Sequence, residues 1–138
     1  MVSKILITIG ILFYALVVPA LEINNTHVFN PQWVAHARLH EVWQLFTNTS
    51  LGLFCLWLVW LKNEVRLPSL ITFFVTGGFF AAYVMRGIYG GSMAHPDGSE
   101  AKIIGINMGV FGFGLAIILT VLAVVLHNRT KAAIKHGT

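Results

Sequence analysis

The chain has 138 residues, of which 57% are hydrophobic and only 10% charged, with a mean hydropathy of +0.77 and a formal charge of +4. Polar residues are too few to coat a compact soluble globule of this size, so the composition excludes a water-soluble domain and points to a bilayer as solvent. Nucleic acid is excluded as the partner of the positive charge, because the Lys and Arg residues sit in short flanks between apolar runs rather than on one continuous face.

The first apolar run, Ser3 to Leu21, has about the 20 residues that cross roughly 30 Å of hydrocarbon as a helix. Lys4 before it and Val18-Pro19-Ala20 at its end also fit a cleaved signal peptide. A retained helix is preferred, since its removal would leave the termini on opposite sides of the membrane. Next comes "HVFNPQWVAHARLHEVWQL", which gathers His27, His36, His40, Arg38 and Glu41 at the mouth of a second apolar run, Gln44 to Leu61. Asn30-Pro31 reads as the turn that starts this helix. The short loop Lys62-Asn63-Glu64-Val65-Arg66 and a helix-starting Pro68 lead into a third run, Leu67 to Met85, so helices two and three are expected to be antiparallel neighbours. The segment "GGSMAHPDGSE", with His95, Asp97 and Glu100, reads as a plain connector or a lid. A fourth run, Ile103 to Leu126, completes a single domain over residues 1–138: an all-α, integral membrane four-helix transmembrane bundle.

Charge then sets the orientation. Lys4, Lys62, Arg66, Arg129, Lys131 and Lys135 fall on one side and Arg38, Arg86 and Lys102 on the other, which predicts cytoplasmic termini and an exoplasmic histidine-rich segment. Gly77, Gly78, Ala81 and Ala82, with Gly105, Gly109, Gly112 and Gly114, predict close helix packing, within one chain or between copies in a homo-oligomer. Cys55 lies mid-span and reads as a buried, inert thiol.

At about 100° per residue, His36, His40, Trp43, Thr47 and Ser50 share one sector of helix two, with Gln44, Asn48 and Glu41 on its flank. The inner end, "LGLFCLWLVWL", is apolar all round, which argues against a conduction path. Glu22, Tyr83, Arg86, Tyr89 and Asn107 come to the same membrane level as His40 and Glu41. Ionisable groups at such depth cost roughly 3 kcal/mol each and normally face partners inside a bundle. The expectation is a polar pocket with Arg86 paired to Glu41. Singly, these residues also fit an interfacial belt of aromatic and basic side chains.

Three chemistries fit such a pocket. His36 and His40, four residues apart, can share a divalent metal, with His27 or His95 completing a site. A single histidine can hold a haem iron between helices. Without a cofactor, His40 or Glu41 would move a proton while Arg86 or a tyrosine stabilises negative charge. No serine elbow, P-loop or dinucleotide fingerprint is present.

The run His27-x-Phe29-Asn30-Pro31-x-Trp33-x-x-His36-Ala37-Arg38-x-His40 resembles the motif of a family of small four-span membrane proteins of undefined function, in which it also follows the first helix. That resemblance implies the four-span plan and no activity. Ala37-Arg38-x-His40 is also similar to the A-R-x-H segment of the styrene oxide isomerase family, small four-helix membrane enzymes that use haem as a Lewis acid to convert an epoxide to a carbonyl compound. This resemblance implies His40 as haem ligand. The asparagine that follows the histidine by six residues in that family is Phe46 here, with Asn48 a loose substitute.

The sequence thus predicts a membrane-embedded enzyme acting on a small hydrophobic molecule, an isomerase or cyclase. His36, His40, Glu41 and Arg86 would be its reactive groups and Gln44, Asn48, Tyr83 and Asn107 its lining, with haem or a divalent metal as the candidate cofactor. The rival reading is a non-catalytic membrane subunit or binding protein whose polar cluster locks helix packing or docks a partner.

Overall fold

In hydrocarbon a backbone must satisfy its own polar groups, so long apolar runs fold as helices. The computed structural model, which describes residues 1–95 and 98–136, forms α1 (Val2–Glu22), α2 (Ala35–Leu61), α3 (Arg66–Tyr89) and α4 (Met108–His136). Each contains a stretch long and apolar enough to cross a membrane. The fold is an all-α four-helix bundle of an integral membrane protein. Its large apolar side chains point outward, among them Phe46, Leu53, Phe74, Val84 and Ile118. Such a surface is stable against lipid and unstable against water.

The helix order follows from which faces are apolar and narrow. α1 touches all three other helices, while α2 packs on α3 and α3 on α4. On α1 the buried residues Ile7, Gly10, Ile11, Tyr14 and Ala15 recur at helical spacing. They meet Cys55 and Val59 of α2, Val65 before α3 and Ala123 of α4 in one core. Two glycines set how closely the helices approach: a Cβ on Gly52 would overlap that of Ala15, and one on Gly112 would overlap the Phe13 ring. Cys55 is a buried free thiol, as expected.

Pro19 marks the weak point of α1, because it has no N–H to offer the carbonyl of Ala15. The helix widens into one π turn over Phe13–Val17, and the Ala15 carbonyl accepts a hydrogen bond from Thr49 Oγ1 of α2 at 3.0 Å. Elsewhere in the interior, Thr76 and Thr120 return their hydroxyls to the carbonyls of Thr72 and Ala116, both at 2.7 Å.

The end that carries both termini is basic. Asn63 turns the chain with φ 56° and accepts from Lys4 Nζ, while Glu64 Oε1 accepts from the Arg66 backbone N–H at 2.7 Å. These backbone hydrogen bonds, the Arg66 one first, hold the Glu64 carboxyl below the usual carboxylate range. Arg66 in turn donates from Nε and Nη2 to Asn128 Oδ1 at 3.2 and 2.8 Å, tying α3 to α4.

Three sequence expectations change. The fourth helix begins at Met108, not Ile103, because Lys102–Ile103 and Ile106–Asn107 pair as a short antiparallel hairpin, β1 and β2. Its two turn residues, Ile104 and Gly105, have φ of 49° and 83°, so Gly105 serves a turn and not a small-residue helix contact with Gly109. Added Cβ atoms on Gly77 and Gly78 would meet nothing, so these glycines do not mediate packing within the chain. Asp97 lies outside the described residues.

Thr49→Val is expected to lower stability by about 1 kcal/mol, since it strands the Ala15 carbonyl. Gly52→Leu is expected to cost about 2 kcal/mol or more through overpacking against Ala15. Unfolding titrations in mixed micelles measure both, and wild-type stability in the two variants would contradict this packing.

Candidate functional site

At the opposite end, α1 runs out at Glu22 and residues 23–34 fold back over it. The turn is built by one side chain. Asn24 Oδ1 accepts from the backbone N–H groups of Thr26 and His27 at 2.7 and 3.2 Å, and its Nδ2 donates to the Leu21 carbonyl. Asn30, 6% exposed, adds a second such turn: Nδ2 donates to the Thr26 carbonyl at 3.0 Å and Oδ1 accepts from the Gln32 N–H at 2.9 Å. Asn30-Pro31 is therefore a turn, as expected, with the helix starting at Ala35.

This turn places His27 over the end of α1. Its Nε2 lies 3.0 Å from Glu22 Oε2, and its ring meets Trp33 and His95 edge-on, each at 5.8 Å between centroids. Glu41 of α2 is half-buried and close enough to both Glu22 and His27 for charge coupling. Glu22, His27, Glu41 and His95 thus converge from α1, the turn, α2 and the segment before β1.

The proton positions follow from the hydrogen bonds. Two backbone donors and the Leu21 carbonyl fix which atom of Asn24 is oxygen. Thr26 Oγ1, 2.6 Å from that oxygen, must supply the proton between them. Having spent its proton, Thr26 Oγ1 accepts from His27 Nδ1 at 2.8 Å. Nδ1 therefore carries a hydrogen, which leaves Nε2 as the nitrogen that faces Glu22 Oε2.

Beside the cluster opens a cavity of about 560 Å³ lined by Asn25, Thr26, Asn30, Pro31, Gln32, His95 and Ser99. His95 sits in a turn closed by the Gly98 N–H to its own carbonyl at 2.8 Å and by its N–H to the Ser99 carbonyl at 2.9 Å. It is the residue common to the cavity wall and the cluster.

The residues predicted from the sequence separate into three places. His36 and His40 stack edge-on with their Nε2 atoms 3.0 Å apart, His40 lies against Trp43, and all three are exposed on the outward face of α2 with Gln44, Thr47 and Ser50. The inward face is instead Glu41, Leu45, Asn48, Gly52 and Cys55. The pairing of Arg86 with Glu41 does not form: Arg86 is exposed, lies over the Tyr83 ring at 4.1 Å and donates to the Tyr83 carbonyl at 2.6 Å. The guanidinium is folded back onto its own helix, on the ring and carbonyl of Tyr83 three residues earlier. Asn107 caps α4 by accepting from the Gly109 N–H at 2.9 Å, and Tyr83 stacks on Phe79. Among the described residues no group of three or more His, Cys, Asp or Glu is placed to hold a metal ion.

Asn24 and Thr26 escaped the sequence reading. Their signal was present: Asn-x-Thr before a histidine is an Asx turn whose hydroxyl neighbours the ring.

Burial holds the His27 imidazole below its usual range, and His95 acts in the same direction against the attraction of Glu41. The unfolded chain then binds the proton more readily. The His27 contribution to stability is expected to be fully present above about pH 6.5 and to be lost as pH drops from there through the lower folded-state value. Unfolding titrations at a series of pH values test this, with His27→Gln expected to flatten the slope.

No protein-family model, curated protein or solved structure matches this chain, whose class is that of a small membrane protein with four long apolar helices.

Proposed function

We propose that the cluster of Glu22, His27, Glu41 and His95 is the acid–base centre of a membrane-embedded enzyme that isomerises or cyclises a small lipophilic molecule. The observation that carries this is the 3.0 Å approach of His27 Nε2 to Glu22 Oε2, with Nδ1 engaged by Thr26 and Asn24. A fixed tautomer leaves one nitrogen to take or give a proton, and a carboxylate at hydrogen-bond distance can receive or return it. In such a reaction the pair removes a proton from one substrate atom and delivers one to another. No water is consumed and no bond order is lost overall.

The surroundings suit an amphipathic substrate. The cavity offers the side-chain amides of Asn25 and Gln32 to a polar head. Leu21, Ile23 and Phe29, all exposed, offer an apolar flank toward lipid. His95, at the boundary of the two, is placed to orient the head, and Glu41 to stabilise positive charge that develops beside it. In this reading the histidine end is exoplasmic and the termini are cytoplasmic, which the excess of Lys and Arg at the other end favours.

The resemblance to the styrene oxide isomerase family carries a further requirement, a haem on His40. The chain's own residues do not enclose one. His40 is exposed on the outward face of α2, its Nε2 is engaged by His36 and its ring by Trp43. No step is routed through haem here. The same face supports the second reading: His36, His40, Trp43 and Phe46 form an exposed ridge suited to docking a second copy or a larger membrane partner, and the histidine pair offers two nitrogens to a divalent metal there.

The test uses the full chain in lipid nanodiscs in deuterated water, with a panel of lipophilic epoxides and alkenes that bear a polar head. Isomers carrying solvent deuterium are expected from wild type, with turnover lowered by about 10²–10⁴ in Glu22→Gln and in His27→Gln. Unchanged turnover in both folded variants would overturn the assignment, and a loss confined to His36→Ala and His40→Ala would move the site to the outward face.

A further inference from the structure

The groove between α3 and α4 at the basic end has a composition that changes with depth. Its volume is about 330 Å³, and its walls are Arg66, Ser69, Leu70 and Phe73 of α3 with Thr120, Val121, Val124 and Val125 of α4. The two helices run antiparallel, so position along one maps onto depth in the other. Arg66 stands level with Asn128, and Ser69 and Leu70 face Val124 and Val125 about 4.5 Å deeper. Phe73 faces Thr120 and Val121 one further step in. The groove is cationic at its mouth, hydroxylic one turn down and apolar below.

Two polar groups in it are not used by the protein. Ser69 is 3% exposed, and its buried Oγ has no hydrogen-bond partner. Arg66 spends Nε and Nη2 on Asn128 and leaves Nη1 without a protein partner among the described residues. A buried hydroxyl without a partner is costly in hydrocarbon unless a ligand completes it.

We propose that this groove binds one acidic glycerophospholipid from the leaflet at the basic end. Its phosphate sits on Arg66, its ester oxygens accept from Ser69 Oγ, and one acyl chain lies along Leu70, Phe73, Val121 and Val125. The depth of each group matches the order of headgroup, ester and chain in such a lipid. Charge complementarity selects the acidic class, because Arg66 stands at the mouth with Nη1 to spare and no acidic side chain lines the groove.

Native mass spectrometry of the full chain in detergent, titrated with phosphatidylglycerol or phosphatidylcholine of equal chain length, tests the proposal. The first phosphatidylglycerol is expected to bind about fivefold more tightly than phosphatidylcholine. Arg66→Gln should bring that ratio close to one, whereas Lys131→Gln, outside the groove, should leave it unchanged. Val121→Trp fills the groove and should weaken both lipids. Because Arg66→Gln also removes the link to Asn128, Ser69→Ala provides a variant that keeps the link; it should weaken both lipids with the ratio retained. Equal binding of the two lipids by wild type overturns the proposal. So does a preference that survives Val121→Trp, or one lost equally in Lys131→Gln, which would mark surface charge alone.

Discussion

Everything in this molecule is hung on the close approach of α1 to α2 at Ala15 and Gly52. Four helices bury little apolar surface against one another in a bilayer, because lipid is as apolar as leucine, so contact must come from shape and from polar groups with nowhere else to go. The absent Cβ of Gly52 supplies the shape. The Ala15 carbonyl, left without a donor by Pro19, supplies the polar group, and Thr49 completes it. The proline that interrupts the first helix thereby becomes a reason for the second to dock in one register.

That register has a consequence at the helix end. With Ala15 against Gly52 and Thr49, the last turn of α1 carries Glu22 to the level of Glu41 near the start of α2, and the loop between them has to close over two carboxylates. His27 is the group that enters this space. A charge cluster of this kind is expensive at a membrane boundary unless protons are shared within it. The Asn24–Thr26 turn, a local feature, decides which imidazole nitrogen faces Glu22.

The two ends of the bundle solve different problems. At the histidine end, loops provide a polar cavity next to the Glu22–His27 contact. At the basic end, short turns and the Arg66–Asn128 link close the structure and leave a graded groove toward lipid. Between them the interior is apolar except for hydroxyls, of which those of Thr76 and Thr120 return to their own helices and that of Thr49 crosses to α1. The separation keeps ionisable groups out of the middle of the membrane.

The amino-acid pattern alone determined the class and the number of helices. Runs as apolar as Met108 to Leu126 leave the backbone no other option in lipid, and the flanking Lys and Arg residues bound them. It also determined the turn at Asn30-Pro31, since that chemistry is local. Helix periodicity placed His36, His40 and Trp43 on one sector correctly, but periodicity does not say which sector faces inward. A membrane helix can turn either an apolar or an interfacial polar face to lipid near the headgroups, so polarity lost its usual meaning as a guide. Only tertiary packing chose the stripe of Glu41, Leu45, Asn48 and Gly52, because Gly52 is where another helix fits. Arg86 was captured by the ring and carbonyl of Tyr83 in its own helix before any distant carboxylate could compete. The approach of Glu22 to His27 depends on a turn five residues long, and the contact of His27 with His95 joins segments separated by two helices, which no spacing rule reaches across to predict.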